Sequence, residues 1–203
     1  MSSVQRGKNG GSLLKMKSEK LKRIRNVAVY CSSQMPVLPV YAEAAENFGR
    51  YLAGQSMTLI YGGSNIGLMK VLADTVLANG GSVYGVFPST FPESLRHPGL
   101  SGYTVVGTLA ERKAEMLRLA DAVVALPGGF GTWDELFDAL ALRKAKLGHR
   151  HPVGILNVNG YFDPLLEWME RSIREGFNSP RHRHLLKKGK TPELLFKQLA
   201  GPG

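Results

Sequence analysis

The sequence predicts an α/β domain of three layers, with a parallel sheet covered by helices on both faces. Three observations carry that expectation. Short β-rich runs are apolar at nearly every position rather than at alternate ones, the pattern of strands buried on both faces. Stretches with apolar residues at 3–4 spacing separate these runs, so strand and helix patterns alternate along the chain. Glycine pairs and prolines stand where one pattern gives way to the next.

Asn26–Cys31 (NVAVYC) reads as the first buried strand. Pro39 opens an amphipathic helix with Tyr41, Ala44, Ala45, Phe48, Tyr51 and Leu52 on one face, closed by Gly54. Met57–Tyr61 is the second strand; after Gly62-Gly63 a helix runs to about Asn79, where Gly80-Gly81 stops it. Ser82–Phe87 is the third strand, and a connection holding Pro88, Pro92 and Pro98 leads to a fourth at Tyr103–Val106. Thr108–Leu119 is helical, Asp121–Leu126 (DAVVAL) is a strand, and Thr132–Leu147 is a long helix. Val153–Val158 reads as the last strand, followed by helices at Pro164–Glu175 and Pro192–Leu199.

The chain of 203 residues fits one domain, expected over residues 25–200 after a basic tail, 1–24. Lys and Arg outnumber Asp and Glu by 26 to 16, but eight basic side chains against one acidic fall within residues 1–25. The body is thus nearly neutral. The tail reads as a solvated segment rather than a transit sequence or a nucleic-acid arm, since charge alone gives only nonspecific, salt-sensitive binding. A single cysteine, Cys31, excludes an internal disulfide framework and a multi-cysteine zinc site. No apolar run is long enough for a membrane helix, so a cytoplasmic protein without a membrane partner is expected.

Ligands of parallel sheets bind beyond the carboxyl ends of the strands. That singles out the loops Cys31–Gln34, Gly62–Gly67, Phe87–His97, Gly107–Arg112 and Pro127–Thr132. The loop Gly62-Gly63-Ser64-Asn65-Ile66-Gly67 is not a P-loop, because Leu68-Met69 stand where Lys and Ser/Thr are needed. It is not a dinucleotide fingerprint either: Ser64 replaces the middle glycine, and no acidic residue ends the next strand. It is a tight turn or an amide cradle for one phosphate or ribose.

The loop from Pro127 through Gly128, Gly129, Phe130 and Gly131 to Thr132 carries the stronger signal. Three glycines in four positions point to positive φ or to a ligand against the main chain. Thr132 and Glu135 have the spacing of a capping box; alternatively, the amides of Gly129–Thr132 bind an anion and Glu135 projects toward what that anion carries. Thr108 and Glu111 share that spacing and put Arg112 and Lys113 in the first turn of a helix, either solvated or aimed at an anion. Adjacent Asp134 and Glu135 point about 100° apart on a helix, a poor acid–base pair. Cys31 reads as core. His149, His151, His182 and His184 read as surface residues rather than metal ligands, Trp168 and Met169 as core or an oligomer face, and Lys187–Lys190 as a solvated cluster.

Tyr61-Gly62-Gly63…Gly67-Leu68-Met69, Glu111-Arg112-Lys113-Ala114…Met116, Pro127-Gly128-Gly129-Phe130-Gly131-Thr132-Trp133-Asp134-Glu135, and Pro152-Val153-Gly154…Gly160-Tyr161-Phe162 together resemble the Lonely Guy family. These are cytokinin riboside 5′-monophosphate phosphoribohydrolases, once mislabelled lysine decarboxylases. The resemblance covers about residues 26–190. It implies a single Rossmann/flavodoxin-like domain, usually a homodimer, that hydrolyses the N-glycosidic bond of AMP or an N6-substituted AMP to free base and ribose 5-phosphate. The family's catalytic pair falls on Arg112 and Glu135, and its substrate contacts on Lys113, Gly128, Gly129, Gly131, Thr132 and Asp134. Ser32, Gly62 and Gly63 complete the expected substrate site.

No metal or organic cofactor is expected. Glu135 at a helix N-terminus should stay ionised and oppose the positive charge that builds on the ribose ring. The chain departs from the family pattern at Ser32, Ser64, Lys70 and Arg143-Lys144-Ala145-Lys146, positions that bear on base recognition. A non-catalytic nucleotide carrier or sensor on the same fold is the alternative reading.

Overall fold

The computed structural model describes residues 24–35, 37–147 and 149–201. The basic tail lies outside the described residues except for Ile24, which is buried in the core. Seven parallel strands, β1 (Asn26–Tyr30), β2 (Thr58–Tyr61), β3 (Val83–Pro88), β4 (Gly102–Val106), β5 (Ala122–Ala125), β6 (Val153–Leu156) and β7 (Leu186–Gly189), form one sheet in the order 4-3-2-1-5-6-7. Six helices cover it: α1 (Pro39–Gly54), α2 (Gly67–Ala78), α3 (Leu109–Leu119), α4 (Phe130–Ala145), α5 (Asp163–Arg174) and α6 (Pro192–Leu199).

Alternation along the strands divides the core. Val27, Val29, Leu59, Tyr61 and Val124 face α1, α2 and α6, while Ala28, Tyr30, Ile60, Val123 and Ala125 face α3, α4 and α5. The order reverses at β1, whose residue Ala28 pairs with Ile60 of β2 on one side and Val123 of β5 on the other. Loops leaving β1 and β5 there turn to opposite faces and leave a crevice between them.

The structure corrects the sequence reading at four places. The last strand is β7, not β6: Leu186 and Gly189 face inward while Lys188 is exposed, so an edge strand hides in what reads as a solvated lysine cluster. His149 is buried, its Nε2 donating to the Ala139 carbonyl at 2.9 Å, with His151 stacked on it. Trp168 is 58% exposed, so of its two readings the core falls and the oligomer face is left. Finally, α4 begins at Phe130, with Gly129 as N-cap, two residues before the expected start. Thr132 is therefore the third helical residue and caps nothing. Its side chain turns inward against Gly128, so closely that a Cβ there would collide with the Thr132 hydroxyl.

Candidate active site

A cleft of about 580 Å³ opens at the carboxyl ends of β1 and β2, beside the N-terminus of α4. All five loops singled out from the sequence supply residues to its lining. Ser32 ties its own loop to the Pro127 loop and to the first turn of α2: its amide donates to the Pro127 carbonyl at 3.3 Å, its carbonyl accepts from the Met69 amide at 3.3 Å, and its hydroxyl accepts from the Gln34 amide at 2.9 Å. The Ser32 site is thus a knot between the two glycine loops.

In the first glycine loop, Gly63 has φ +74°, a left-handed turn that glycine adopts without strain. Its carbonyl accepts from the His97 amide at 2.9 Å, and the Asn65 amide donates to the Leu95 carbonyl at 2.8 Å. His97 is itself held, Nδ1 accepting from the Gly99 amide and Nε2 donating to Asp74 at 2.9 Å. These bonds fold the proline-rich connection over the loop and set Phe91 and Leu95 in the cleft wall. Gly62 leaves room for Arg112, whose Nη1 lies 3.2 Å from where a Cβ would stand.

Arg112 is placed by the start of α3. Thr108 is the N-cap, its hydroxyl accepting from the Glu111 amide at 3.1 Å, while the Glu111 carboxylate accepts from the Gly107 amide at 2.7 Å. Arg112 is the fourth helical residue, past the amides where cations are most opposed by the helix dipole. Its Nη2 donates to Glu135 Oε1 at 2.5 Å. This pair spans the cleft floor, joining α3 to the second turn of α4, with both side chains largely buried.

Glu135 departs from the expectation of a carboxylate kept ionised by a helix N-terminus. Burial raises its pKa to about 7, against the pull of Arg112 and, more weakly, Lys113. Its place in the second turn of α4, beyond the open amides, explains the correction. A carboxyl that titrates near neutrality can give or take a proton at working pH. The amides of Phe130, Gly131 and Thr132, the first three of α4, have no acceptor within the helix and can receive an anion.

The structure brings Ser32, Gly62, Arg112, Gly129, Gly131, Thr132 and Glu135 together in the lining. It sets Gly63, Lys113, Gly128 and Asp134 outside the lining. Gly63 and Gly128 shape the loops from behind, and Lys113 Nζ donates to both oxygens of Asp134, at 2.9 and 3.0 Å, beside the cleft. Apolar lining from Ile66, Leu109 and Phe130 was missed, since an apolar residue in a loop carries no chemical signal of its own. Cys31 is buried and its thiol is pushed up by burial and by Glu135, so it stays protonated and is no nucleophile.

A family profile described as "Possible lysine decarboxylase" matches residues 69–199. A "Probable cytokinin riboside 5′-monophosphate phosphoribohydrolase" of Oryza sativa subsp. japonica is 42% identical over 182 residues, covering 86% of this chain and 78% of the relative. A cytokinin riboside 5′-monophosphate phosphoribohydrolase of Arabidopsis thaliana is 38% identical over 179 residues, covering 87% and 82%. Among solved structures, the molybdenum cofactor binding protein of Rippkaea orientalis superposes with a TM-score of 0.63 at 22% identity, covering 84% of this chain and 92% of that one. The molybdenum cofactor carrier protein of Chlamydomonas reinhardtii gives 0.62 at 22% identity, covering 85% and 93%. These two show a shared fold.

Proposed function

The chain belongs to the Lonely Guy family of cytokinin riboside 5′-monophosphate phosphoribohydrolases; we propose that it hydrolyses the N-glycosidic bond of an adenosine 5′-monophosphate, and that the Arg112–Glu135 cleft is where it does so. The observation that carries this assignment is the buried carboxyl of Glu135, facing a cleft that ends in free helix amides and held by one guanidinium.

Breaking the bond from C1′ to the base nitrogen leaves positive charge on the ribose. The ionised Glu135 opposes that charge and takes a proton from the water that attacks C1′; that proton passes, directly or through solvent, to the nitrogen of the departing base, which restores the carboxylate. Arg112 orients the carboxylate and, through its second face, the nucleotide. The 5′-phosphate sits on the amides of Phe130, Gly131 and Thr132, with Gly129 and Ser32 beside it and the positive charge of Lys113 nearby. Asp134 holds Lys113 in place. Gly62, Gly63 and Gly128 keep the loops open for the substrate. Binding energy at the phosphate is spent at C1′. The base lies toward Ile66, Phe91, Leu95 and Leu109, an apolar wall suited to an N6 substituent.

We take residues 24–200 as the catalytic unit, one residue earlier than expected because Ile24 is buried in the core, and the cytoplasm as its place of work, where its nucleotide substrate and a lone buried thiol both belong. Among the described residues no helix is long and apolar enough to cross a membrane. We also propose a homodimer through α4 and α5. There Phe137 and Trp168 stack edge to face at 5.9 Å, Phe177 is 77% exposed, and an apolar groove of about 570 Å³ lies open between the helices.

The test is incubation with AMP, its N6-isopentenyl derivative and the matching nucleosides, with free base followed by chromatography. Release from the nucleotides and much less from the nucleosides is expected. Equal release from both would remove the phosphate-anchoring role of the α4 amides.

A further inference from the structure

Tyr30, the last residue of β1, lies on the cleft side of the sheet and is 2% exposed, yet its hydroxyl has no hydrogen-bond partner. The ring is explained: it packs in the core beneath α3 and α4 and sits in register with Ala125 of β5. Phenylalanine would fill that space equally well, and a buried hydroxyl without a partner is a net cost to the fold. A polar atom left in this state in a native core calls for a role. Arg112 Nε is buried without a partner too, a few bonds from the Nη2 that holds Glu135 Oε1. Two unpaired buried groups and one carboxyl therefore meet on the floor of the same cleft. Of the charges around Tyr30, that of Glu135 acts on it most strongly, ahead of Asp138, Arg112 and Asp134.

We propose that Tyr30 is a positioning residue of the hydrolysis, its hydroxyl steadying the carboxylate of Glu135, whenever that group is ionised, by a hydrogen bond made directly or through one water. The inference rests on the phosphoribohydrolase reading of the cleft. Arg112 can then give part of its donor set, Nε included, to the nucleotide without leaving Glu135 unsupported. The groups facing Glu135 are Arg112 and Lys113 from α3, Asp134 from its own helix, and Tyr30 and Cys31 from β1 and its end, while Asp138 of the same helix faces Tyr30. Among these, the Cys31 thiol is neutral but a weak donor, so Tyr30 is the neutral group that can favour the carboxylate without competing for the substrate phosphate.

The test is Tyr30→Phe, read for stability, turnover and titration together. Tm should hold or rise by about 2–4 °C, because the unpaired hydroxyl is removed. Turnover of N6-isopentenyl-AMP should fall about 3–10-fold in kcat with KM nearly unchanged. The acid limb of kcat/KM should move up by about half a unit to one unit, since a hydrogen bond to the charged form is lost. The Glu135 carboxyl, followed by 13C NMR of glutamate-labelled protein and identified by its absence in Glu135→Gln, should move the same way. An unmoved carboxyl titration overturns the proposal, as does unaltered kcat. A variant that loses its fold overturns it as well, since Tyr30 would then serve the strand alone. Wild-type protein that releases no base would instead refute the phosphoribohydrolase reading, and the carboxyl titration, which needs no turnover, would still decide the role of Tyr30.

Discussion

Glu135 sits where burial and Arg112 pull its proton in opposite directions, and the balance leaves it titrating at about 7 instead of near 4.5. The sign of the linkage follows. A raised carboxyl pKa gives stability that is complete below about 4.5 and is lost as the pH rises through about 7. Between pH 5 and 8 the wild-type Tm should therefore decline relative to that of Glu135→Gln, measured by differential scanning calorimetry. His149 and His151, whose pKa values are lowered mainly by burial, act with the opposite sign but equally in both proteins, so the difference isolates the carboxyl. The same substitution should reduce kcat about 10²–10³-fold, the scale of a lost preorganised electrostatic group. Nucleotide affinity should survive, because the amides of α4 are untouched. With the capping-box role excluded by the helix starting at Phe130, near wild-type turnover in Glu135→Gln would leave this residue without a function.

At the scale of elements, two short motifs aim the site, and each predicts its own failure. Thr108 caps α3 and so fixes Arg112. Thr108→Ala should cost about 1 kcal/mol, a fall of about 2–4 °C in Tm, with a several-fold loss of kcat as Arg112 loses its bearing. Gly128 has no room for a methyl group against Thr132. Gly128→Ala should cost about 1–3 kcal/mol and displace the start of α4, which circular dichroism melts and turnover would both register. Strands β1, β2, β3, β5 and β6 were legible in the sequence because their residues are mostly apolar, as burial on two faces demands, whereas edge strand β4, none of whose residues is buried, was legible only by its Tyr-Thr-Val-Val run. Strand β7 was not, since Leu-Lys-Lys-Gly at a sheet edge needs only Leu186 inside. The start of α4 was misread because Phe130 and Gly131 carry no helix signal, while Thr132 and Glu135 imitate a cap by spacing alone. The Arg112–Glu135 contact, 23 residues apart, came from the family resemblance, and the orphaned hydroxyl of Tyr30 from neither route: a tyrosine in a strand looks like any other core aromatic.

For the whole molecule, the exposed aromatic face of α4 and α5 and the entry of the chain into β1 each carry a prediction. If the face closes a dimer, Trp168→Glu should convert the protein to monomer in sedimentation equilibrium while leaving the monomer folded, because Trp168 contributes nothing to the core. Removal of residues 1–23 should leave Tm and turnover nearly unchanged. Removal through Arg25 should not: Ile24 is buried, and the Arg25 amide donates to Asp121 at 2.9 Å, tying the entry of β1 to the start of β5. A truncation series melted side by side would place the boundary between Arg23 and Ile24.

The central position of β1 also has a history in time. Tyr30 pairs with Ala125, so the strand that leaves the ribosome first gains its second neighbour only after some ninety further residues have followed. Until then a nascent chain holding β1 to β4 presents an apolar strand, buried in the finished sheet, as a bare edge, the kind of surface that recruits other chains. Closure of β5 onto β1 ends that exposure and, in the same event, brings Arg112 and Glu135 to either side of the crevice. Such long-range parallel pairing is slow. Synthesis paused before residue 122 should consequently yield a chain that is both catalytically silent and prone to self-association, while the complete chain gains solubility and its active site in one step.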